Sequence, residues 1–535
     1  MASQSDNVSS PIEDFSPTVF FGAIIAIGLL IAFALYDTEL ATARFAAVQS
    51  WATHNFGWLF VGTANVLLVA SGFIAITRIG DMRLGGADAK PAYSPMSWFA
   101  MLFSAGMGIG LLFYGVAEPV MHFSNPPISS FSDPGATLPQ GLARNAQHAM
   151  GLTYLHWGLH AWGIYAVIGL ALAYIAYNRG KPLNLGTFLN TAFPWLPKIV
   201  VDLIDIMAIT ATVCGVAASL GFGASQINAG LELLLGVPET GVVKAIIITV
   251  VTGLATLSVA MGLDAGIKRL SEGNMALALG LAIFVFVAGP TVFLLDSFIQ
   301  NLGYYIQRFV YLSTWTESYT AEDWQSNWTI FYYAWWISWS PFVGIFIARI
   351  SYGRTIREFV GGVLLVPSLF TFAWMTIFGD SALYIELFGH GGLSEAVNSS
   401  MPDALFAFLG HYPLSQIASG LAILIVATFF VTSADSGALV TAMIASGGHQ
   451  EARFVPRVTW AIAIGVLAGA LLYAGGLQAL QTAAIVTGLP FALVLLAMCY
   501  GLLKMLLEKQ PPVTQLPGLE TGSDEPVTAP APSAG

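Results

Sequence analysis

Twelve predominantly apolar runs punctuate the chain, near residues 17–36, 56–77, 94–116, 148–175, 201–222, 240–262, 272–295, 327–348, 357–379, 414–444, 456–475 and 482–505. A run of about 20 apolar residues spans the hydrocarbon core of a bilayer as a helix. In hydrocarbon every backbone N–H and C=O must be satisfied within the protein, so these runs commit the chain to an all-α integral membrane protein of twelve transmembrane helices. Composition agrees: charged residues make up only 9% and hydrophobic residues 56%, whereas a soluble domain carries about 25% charged residues. The polar, acidic opening MASQSDNVSSPIEDFS lacks the basic region of a signal peptide, so the first run reads as a retained span. Cys214 and Cys499 both fall inside apolar runs, and no disulfide framework is expected.

An even number of spans leaves both termini on one side. Of the 19 Lys and Arg residues, only Arg44, Arg144, Lys244 and Arg308 fall on the opposite side. By the positive-inside rule the termini are cytoplasmic. The net charge of −11 says little about partners and gives no reason to expect nucleic acid. Residues 1–16 form an N-terminal tail, and the Pro-, Gly- and Thr-rich stretch 509–535 reads as a disordered one. Segment 296–325 places Phe298, Leu302, Tyr305 and Phe309 at helical spacing, as an amphipathic helix on the outer surface would. It separates two groups of five spans, 94–295 and 326–508, which follow two additional spans in 17–93. Five is odd, so the second group crosses the membrane in the opposite sense to the first, which is the arithmetic of an inverted repeat.

Transporter sites form where spanning helices are broken, because freed backbone groups there bind ions or substrate. Gly106, Gly108 and Gly110 alternate near the centre of the third span. They are compatible with such a break, and equally with close packing through the G-x-x-x-G pair of Gly106 and Gly110. The tenth span carries Thr432, Ser433, Asp435 and Ser436 within five positions. One intramembrane hydroxyl usually bonds its own helix, but a cluster holding a carboxylate is a functional candidate. Thr212 and Ser219 in the fifth span are a weaker signal.

Two spans carry aromatic faces. Tyr332, Trp335, Trp336, Trp339 and Val343 fall within roughly a 100° arc of one helix, and Trp157, Trp162 and Tyr165 within roughly 140° of another. If the faces meet, they enclose an aromatic box, which suits a quaternary ammonium group because its negative ring faces attract a cation that cannot form hydrogen bonds. An aromatic stripe is also ordinary packing, but an indole at this depth needs a partner for its N–H, which favours a polar cavity over a greasy interface. Trp335 has no assigned role. His156 and His160, at i and i+4, have the spacing of a metal or haem ligand pair.

With these stretches in hand, the chain resembles the betaine/carnitine/choline transporter (BCCT) family. The resemblance is carried by AGMGIGLLFYGVAEP (105–119), HWGLHAWGIY (156–165), GLDAGIKRLSEGNM (262–275), AWWISWSPFVGIFIARISYGRTIREF (334–359) and TSADSGAL (432–439). It implies a fold like the bacterial leucine transporter, with two inverted five-helix repeats after two extra helices. It further implies a homotrimer in the bacterial inner membrane, and trimethylammonium or related sulfonium solutes as cargo, often with sodium as the coupling ion. The family's substrate box falls on Trp157, Trp162, Tyr165 and Trp336, with Trp339 on the path toward the cytoplasm. One sodium site falls on carbonyls of Ser104, Met107 and Phe429 and hydroxyls of Thr432 and Ser433. The other falls on Thr212 and Phe342, but its second hydroxyl position is Val216 here. Proton-coupled choline carriers of the family often place Asp where this chain has Gly110, which argues against strict choline selectivity. Osmosensing members carry long basic C-terminal tails, unlike residues 510–535.

The resulting expectation is a sodium-coupled carrier of betaine-like zwitterions working by alternating access, and not an enzyme. Proton-coupled choline uptake or substrate exchange is the nearest alternative. A membrane haem or metal enzyme built on His156 and His160 is a remote one, and no ring motif favours a channel.

Overall fold

The computed structural model describes residues 16–106, 108–127, 138–261, 264–320, 322–448 and 454–508. Met107 and the chain termini lie outside them, as does the side chain of Ser104. Apart from one isolated bridge between Arg83 and Thr355, every regular element among the described residues is helical. Among the described residues, ten helical stretches are long and apolar enough to cross a membrane.

The first two helices are α1 (Pro17–Tyr36) and α2 (Thr38–Ile76), divided at Asp37, whose carboxylate caps α2 by accepting from Leu40 N at 3.0 Å. Only Val19, Ala23, Ile27 and Ala34 of α1 are buried, a single stripe at helical spacing. Phe21, Ile25 and Leu29 are exposed on its other face, which suits lipid. The second span is much longer than its apolar core suggests, because the capped start at Thr38 extends α2 to 39 residues.

The third span is two helices. α3 (Pro95–Gly106) and α4 (Ile109–Ser124) are separated at Met107 and Gly108, and Gly108 is fully extended at φ −165°, ψ −178°. Neither half reaches the roughly 20 residues a span needs. The next helices, α5 (Leu138–Trp157) and α6 (Leu159–Arg179), correct the expectation of an unbroken fourth span, since Gly158 leaves the helical region at φ −102°, ψ −137°. After them come α7 (Leu185–Ala192), α8 (Lys198–Leu235), α9 (Gly241–Met261) and α10 (Asp264–Ala288). α11 (Thr291–Thr314) begins five residues before the expected surface helix and ends well short of 325. It buries Leu294, Tyr304, Tyr305 and Leu312, and its exposed side carries Asp296, Gln300, Gln307 and Arg308 together with Ile299, Ile306 and Val310.

The second half holds α12 (Trp324–Asn327), α13 (Thr329–Ile350) and α14 (Ile356–Met375). A π-helical turn at 376–380 leads into α15 (Ser381–Phe388). The short α16 (Leu393–Ser399) and α17 (Ala404–Leu409) precede α18 (Ser415–Ala445) and α19 (Phe454–Leu507). The last two expected spans lie within α19, divided by non-helical backbone at Gly475 and Gly476. α6 and α13 form the centre: α6 is buried from His160 to Ile175, and α13 everywhere except Trp339, Phe342, Phe346 and Arg349. They cross where Gly344 meets Gly169, since a Cβ on Gly344 would fall 2.6 Å from Ile168 and 3.3 Å from the Gly169 nitrogen.

Segments at the ends of several helices meet one another. Leu84 N donates to Arg354 O at 2.9 Å, Gly353 N to Leu84 O at 2.9 Å, and Ser16 N to Ala445 O at 3.0 Å. Cys214 and Cys499 are free and buried.

Candidate functional site

The two helix breaks and the aromatic face of α13 converge on one narrow cavity of about 50 Å³. The start of α4 (Gly108 to Leu111) forms one wall, and Trp157, Ala161, Trp162 and Tyr165 on either side of Gly158 form another. α13 contributes Trp335, Trp336, Trp339 and Val343, with Ser219 of α8 and Thr371 of α14 closing the space.

The rings are held edge to face. Trp157 and Trp336 lie 5.1 Å apart between centroids at 70°, and Trp162 and Tyr165 lie 5.4 Å apart at 79°. Trp335, left without a role on sequence grounds, stacks on Trp336 at 4.7 Å and 16° and lines the cavity beside it. Trp339 is edge-on to Trp335 at 6.4 Å and to Phe342 at 5.5 Å.

Indole N–H groups at this depth need acceptors, and three of the five that line the cavity donate to protein oxygens. Trp336 donates to the His156 carbonyl at 2.8 Å, Trp335 to the Gly215 carbonyl at 3.3 Å, and Trp157 to Glu118 at 2.7 Å. The break at Gly158 supplies the first, because His156 O is no longer inside a continuous helix. Trp157 O is taken in the same way by the Thr371 hydroxyl at 2.9 Å. The N–H of Trp339 is buried without a partner among the described residues.

Gly110 lies where the rings close in. A Cβ there would fall 2.8 Å from Trp335 and 2.9 Å from Trp157, so only glycine lets both indoles reach the backbone of α4. No side chain caps the start of α4. Leu111 N turns back onto Gly108 O at 3.2 Å, while the N–H groups of Ile109 and Gly110 border the cavity without a side-chain acceptor among the described residues, at the positive end of the helix dipole, which favours an anion.

Glu118, on α4, was not singled out from sequence. It is fully buried and accepts from four side chains: Trp157 and Tyr332 (2.7 and 2.5 Å) on one oxygen, and His156 and His122 (2.6 and 3.2 Å) on the other. The other nitrogen of His156 meets the Thr329 hydroxyl at 2.9 Å. A carboxylate at this depth in the motif 105–119 was the available signal. His156 and His160 do not act as a pair: Gly158 separates their helices, and His160 stacks between Phe309 and Tyr333 and contacts Asn65 at 3.4 Å.

The residues expected at the sodium sites fall on α3, α8, α13 and α18 and at Met107. Met107 and the side chain of Ser104 lie outside the described residues. Ile109, beside that break, approaches Phe430 of α18 across Gly223, where a Cβ would fall 3.0 Å from the one and 3.5 Å from the other. Phe429 is buried and Ser433 half-buried. The half-buried Thr432 bonds its own helix, at 3.1 Å from Thr428 O and 3.2 Å from Phe429 O. Thr212 has a fully buried hydroxyl with no partner among the described residues. It sits one turn from Gly215, whose Cβ position is 2.6 Å from Trp339, and Phe342 lies one turn along from Trp339. Val216 turns its methyls toward Gly437, where a Cβ would be 3.3 Å away.

A model of the betaine/carnitine/choline family of transporters (BCCT) matches residues 18–511. A glycine betaine transporter of Acinetobacter baylyi is 43% identical over 503 residues, covering 93% of this chain and 74% of the relative. The glycine betaine transporter OpuD of Bacillus subtilis is 44% identical over 466 residues, 86% of this chain and 88% of the relative. A glycine betaine/proline/choline transporter of Vibrio parahaemolyticus is 42% identical over 523 residues, covering 94% of this chain and 93% of the relative.

Proposed function

Because the chain belongs to the betaine/carnitine/choline transporter family, we propose that it is a secondary carrier that imports glycine betaine or a closely similar zwitterion. The single observation behind this reading is the cavity at the Gly108 and Gly158 breaks, walled by Trp157, Trp335, Trp336 and Trp339. A trimethylammonium head suits it, because aromatic faces replace hydration that such a group gives up cheaply. The substrate's carboxylate would meet the uncapped start of α4, whose Ile109 and Gly110 N–H groups border the same space, or the unpartnered N–H of Trp339. A zwitterion thus satisfies both ends of the cavity, whereas choline leaves the anion-binding end unused.

On this reading sodium drives uptake through Ser104, Met107, Phe429, Thr432 and Ser433. Bridging the break beside α4 and α18, the ion would complete the wall against which substrate closes, so its binding would favour the substrate-ready arrangement. Thr212 and Phe342 would hold a second ion only weakly, because Val216 offers no oxygen. The twelve-span inverted repeat with cytoplasmic termini and a trimeric assembly complete the proposal. Uptake of radiolabelled glycine betaine into proteoliposomes tests it: uptake should require an inward sodium gradient, and undiminished uptake with sodium replaced at fixed pH would refute the coupling.

A further inference from the structure

The Glu118 cluster sits directly behind the aromatic wall without lining the cavity, and it holds two of the wall's indoles. Glu118 takes the Trp157 N–H at 2.7 Å, and His156, bound to the same carboxylate at 2.6 Å, gives its main-chain oxygen to the Trp336 N–H. Four donors converging on two oxygens suit an ionised carboxylate that accepts on both.

We propose that Glu118 is a specificity-determining positioning residue, whose carboxylate, hydrogen-bonded to Trp157 from behind, biases the cavity toward a cationic head group. This rests on the reading of the cavity as a quaternary-ammonium site. Two effects act together. Accepting the indole N–H pushes electron density into the ring and deepens the negative potential of the face presented to the cavity. The carboxylate's own charge also reaches the cavity through a ring rather than through water, so it is weakly screened. Its placement avoids the cost of an acid inside the cavity. A carboxylate at Gly110 would stand at the start of α4 beside the zwitterion's own carboxylate, whereas Glu118 bonds the N–H of Trp157 and does not line the cavity.

Metal binding explains the cluster less well, although Glu118, His122 and His156 offer atoms within 4.8 Å of one another. The 2.6 Å between His156 Nδ1 and Glu118 is a hydrogen-bond distance. Two ligands at about 2.0–2.1 Å from a tetrahedral zinc would stand about 3.3 Å apart. A purely structural network is the other account, and it would be indifferent to charge on the ligand.

The test titrates purified full-length protein, followed by tryptophan fluorescence, with glycine betaine and with 3,3-dimethylbutanoate, which replaces the ammonium nitrogen by carbon at the same shape. In the wild type betaine should bind more tightly. In Glu118→Gln that preference should fall about tenfold, with binding of the carbon analogue little changed. In Glu118→Asp, which keeps the charge, the preference should stay within about threefold of wild type. An unchanged preference in Glu118→Gln, or equal losses for both ligands, overturns the proposal. If Glu118→Gln fails to fold, Glu118→Asp decides alone, and collapse of its preference overturns the proposal. Wild-type protein that binds no betaine refutes the cavity reading and this inference with it.

Discussion

Trp336 donates its indole N–H to the main-chain oxygen of His156 at 2.8 Å, two residues before the glycine that breaks the α5–α6 span. The bond joins the two aromatic faces and explains how a tryptophan remains deep in the bundle. Its polar edge is satisfied by a carbonyl that the helix break releases, and its ring stays turned to the cavity. Helix interruption and aromatic wall are therefore one construction, and several consequences can be measured.

Gly110 admits no side chain without moving Trp335 or Trp157, each under 3 Å from a Cβ placed there. Gly110→Ala should raise the KM for betaine uptake about tenfold at normal membrane abundance, since shifting either ring by a few tenths of an ångström degrades the box. Gly110→Asp should harm betaine more than choline, because the added carboxylate repels a zwitterion's anionic end. Competitive uptake assays with both solutes measure the difference.

Gly158 has a different constraint. A Cβ there would fall 2.5 Å from Tyr154 O and 2.6 Å from the Phe372 ring, in backbone that is not helical. Gly158→Ala should cut the maximal uptake rate at least about tenfold by straining the break that frees the His156 and Trp157 carbonyls. Rates in proteoliposomes matched for protein content read this directly.

The aromatic faces, the glycine-rich break and the polar patch of α18 were legible in the sequence because each has a period or a local density. The break at Gly158 was not, since a lone glycine in an apolar run is indistinguishable from a packing glycine. Trp335 was passed over because helical arcs say which residues share a face but not which of two adjacent indoles meets the partner helix. Glu118 went unremarked because its four donors come from α4, α5 and α13, and no linear pattern gathers them. The bounds of α11 escaped for a similar reason: where a helix begins and ends depends on what packs beside it.

Asp380 separates stability from binding. In the π-helical turn it accepts from Asn301 at 2.7 Å and Ser297 at 3.1 Å, tying α11 to the bundle away from the cavity. Asp380→Ala removes the acceptor of the buried Asn301 amide, while Ser297 keeps Leu294 O at 3.3 Å, at a cost of about 1–3 kcal/mol. The melting temperature of the solubilised protein should fall by several degrees while betaine affinity holds, which thermal unfolding with and without ligand would reveal.

Sodium dependence is expected to be carried by α18. Thr432→Ala and Ser433→Ala should each raise the sodium concentration for half-maximal uptake about tenfold, as expected for losing one oxygen ligand worth about 1.4 kcal/mol. With Val216 in place of a hydroxyl, the wild-type dependence should be close to first order in sodium. Uptake measured across a sodium series gives both quantities.

The aromatic cavity is tested most directly by titrating the purified protein with glycine betaine in sodium while following tryptophan fluorescence, in the wild type and in Trp336→Leu. Saturable binding in the wild type, weakened at least about tenfold in Trp336→Leu, is the expected result. Wild-type affinity in the variant, or no saturable response in the wild type to any quaternary ammonium or sulfonium solute, would contradict it.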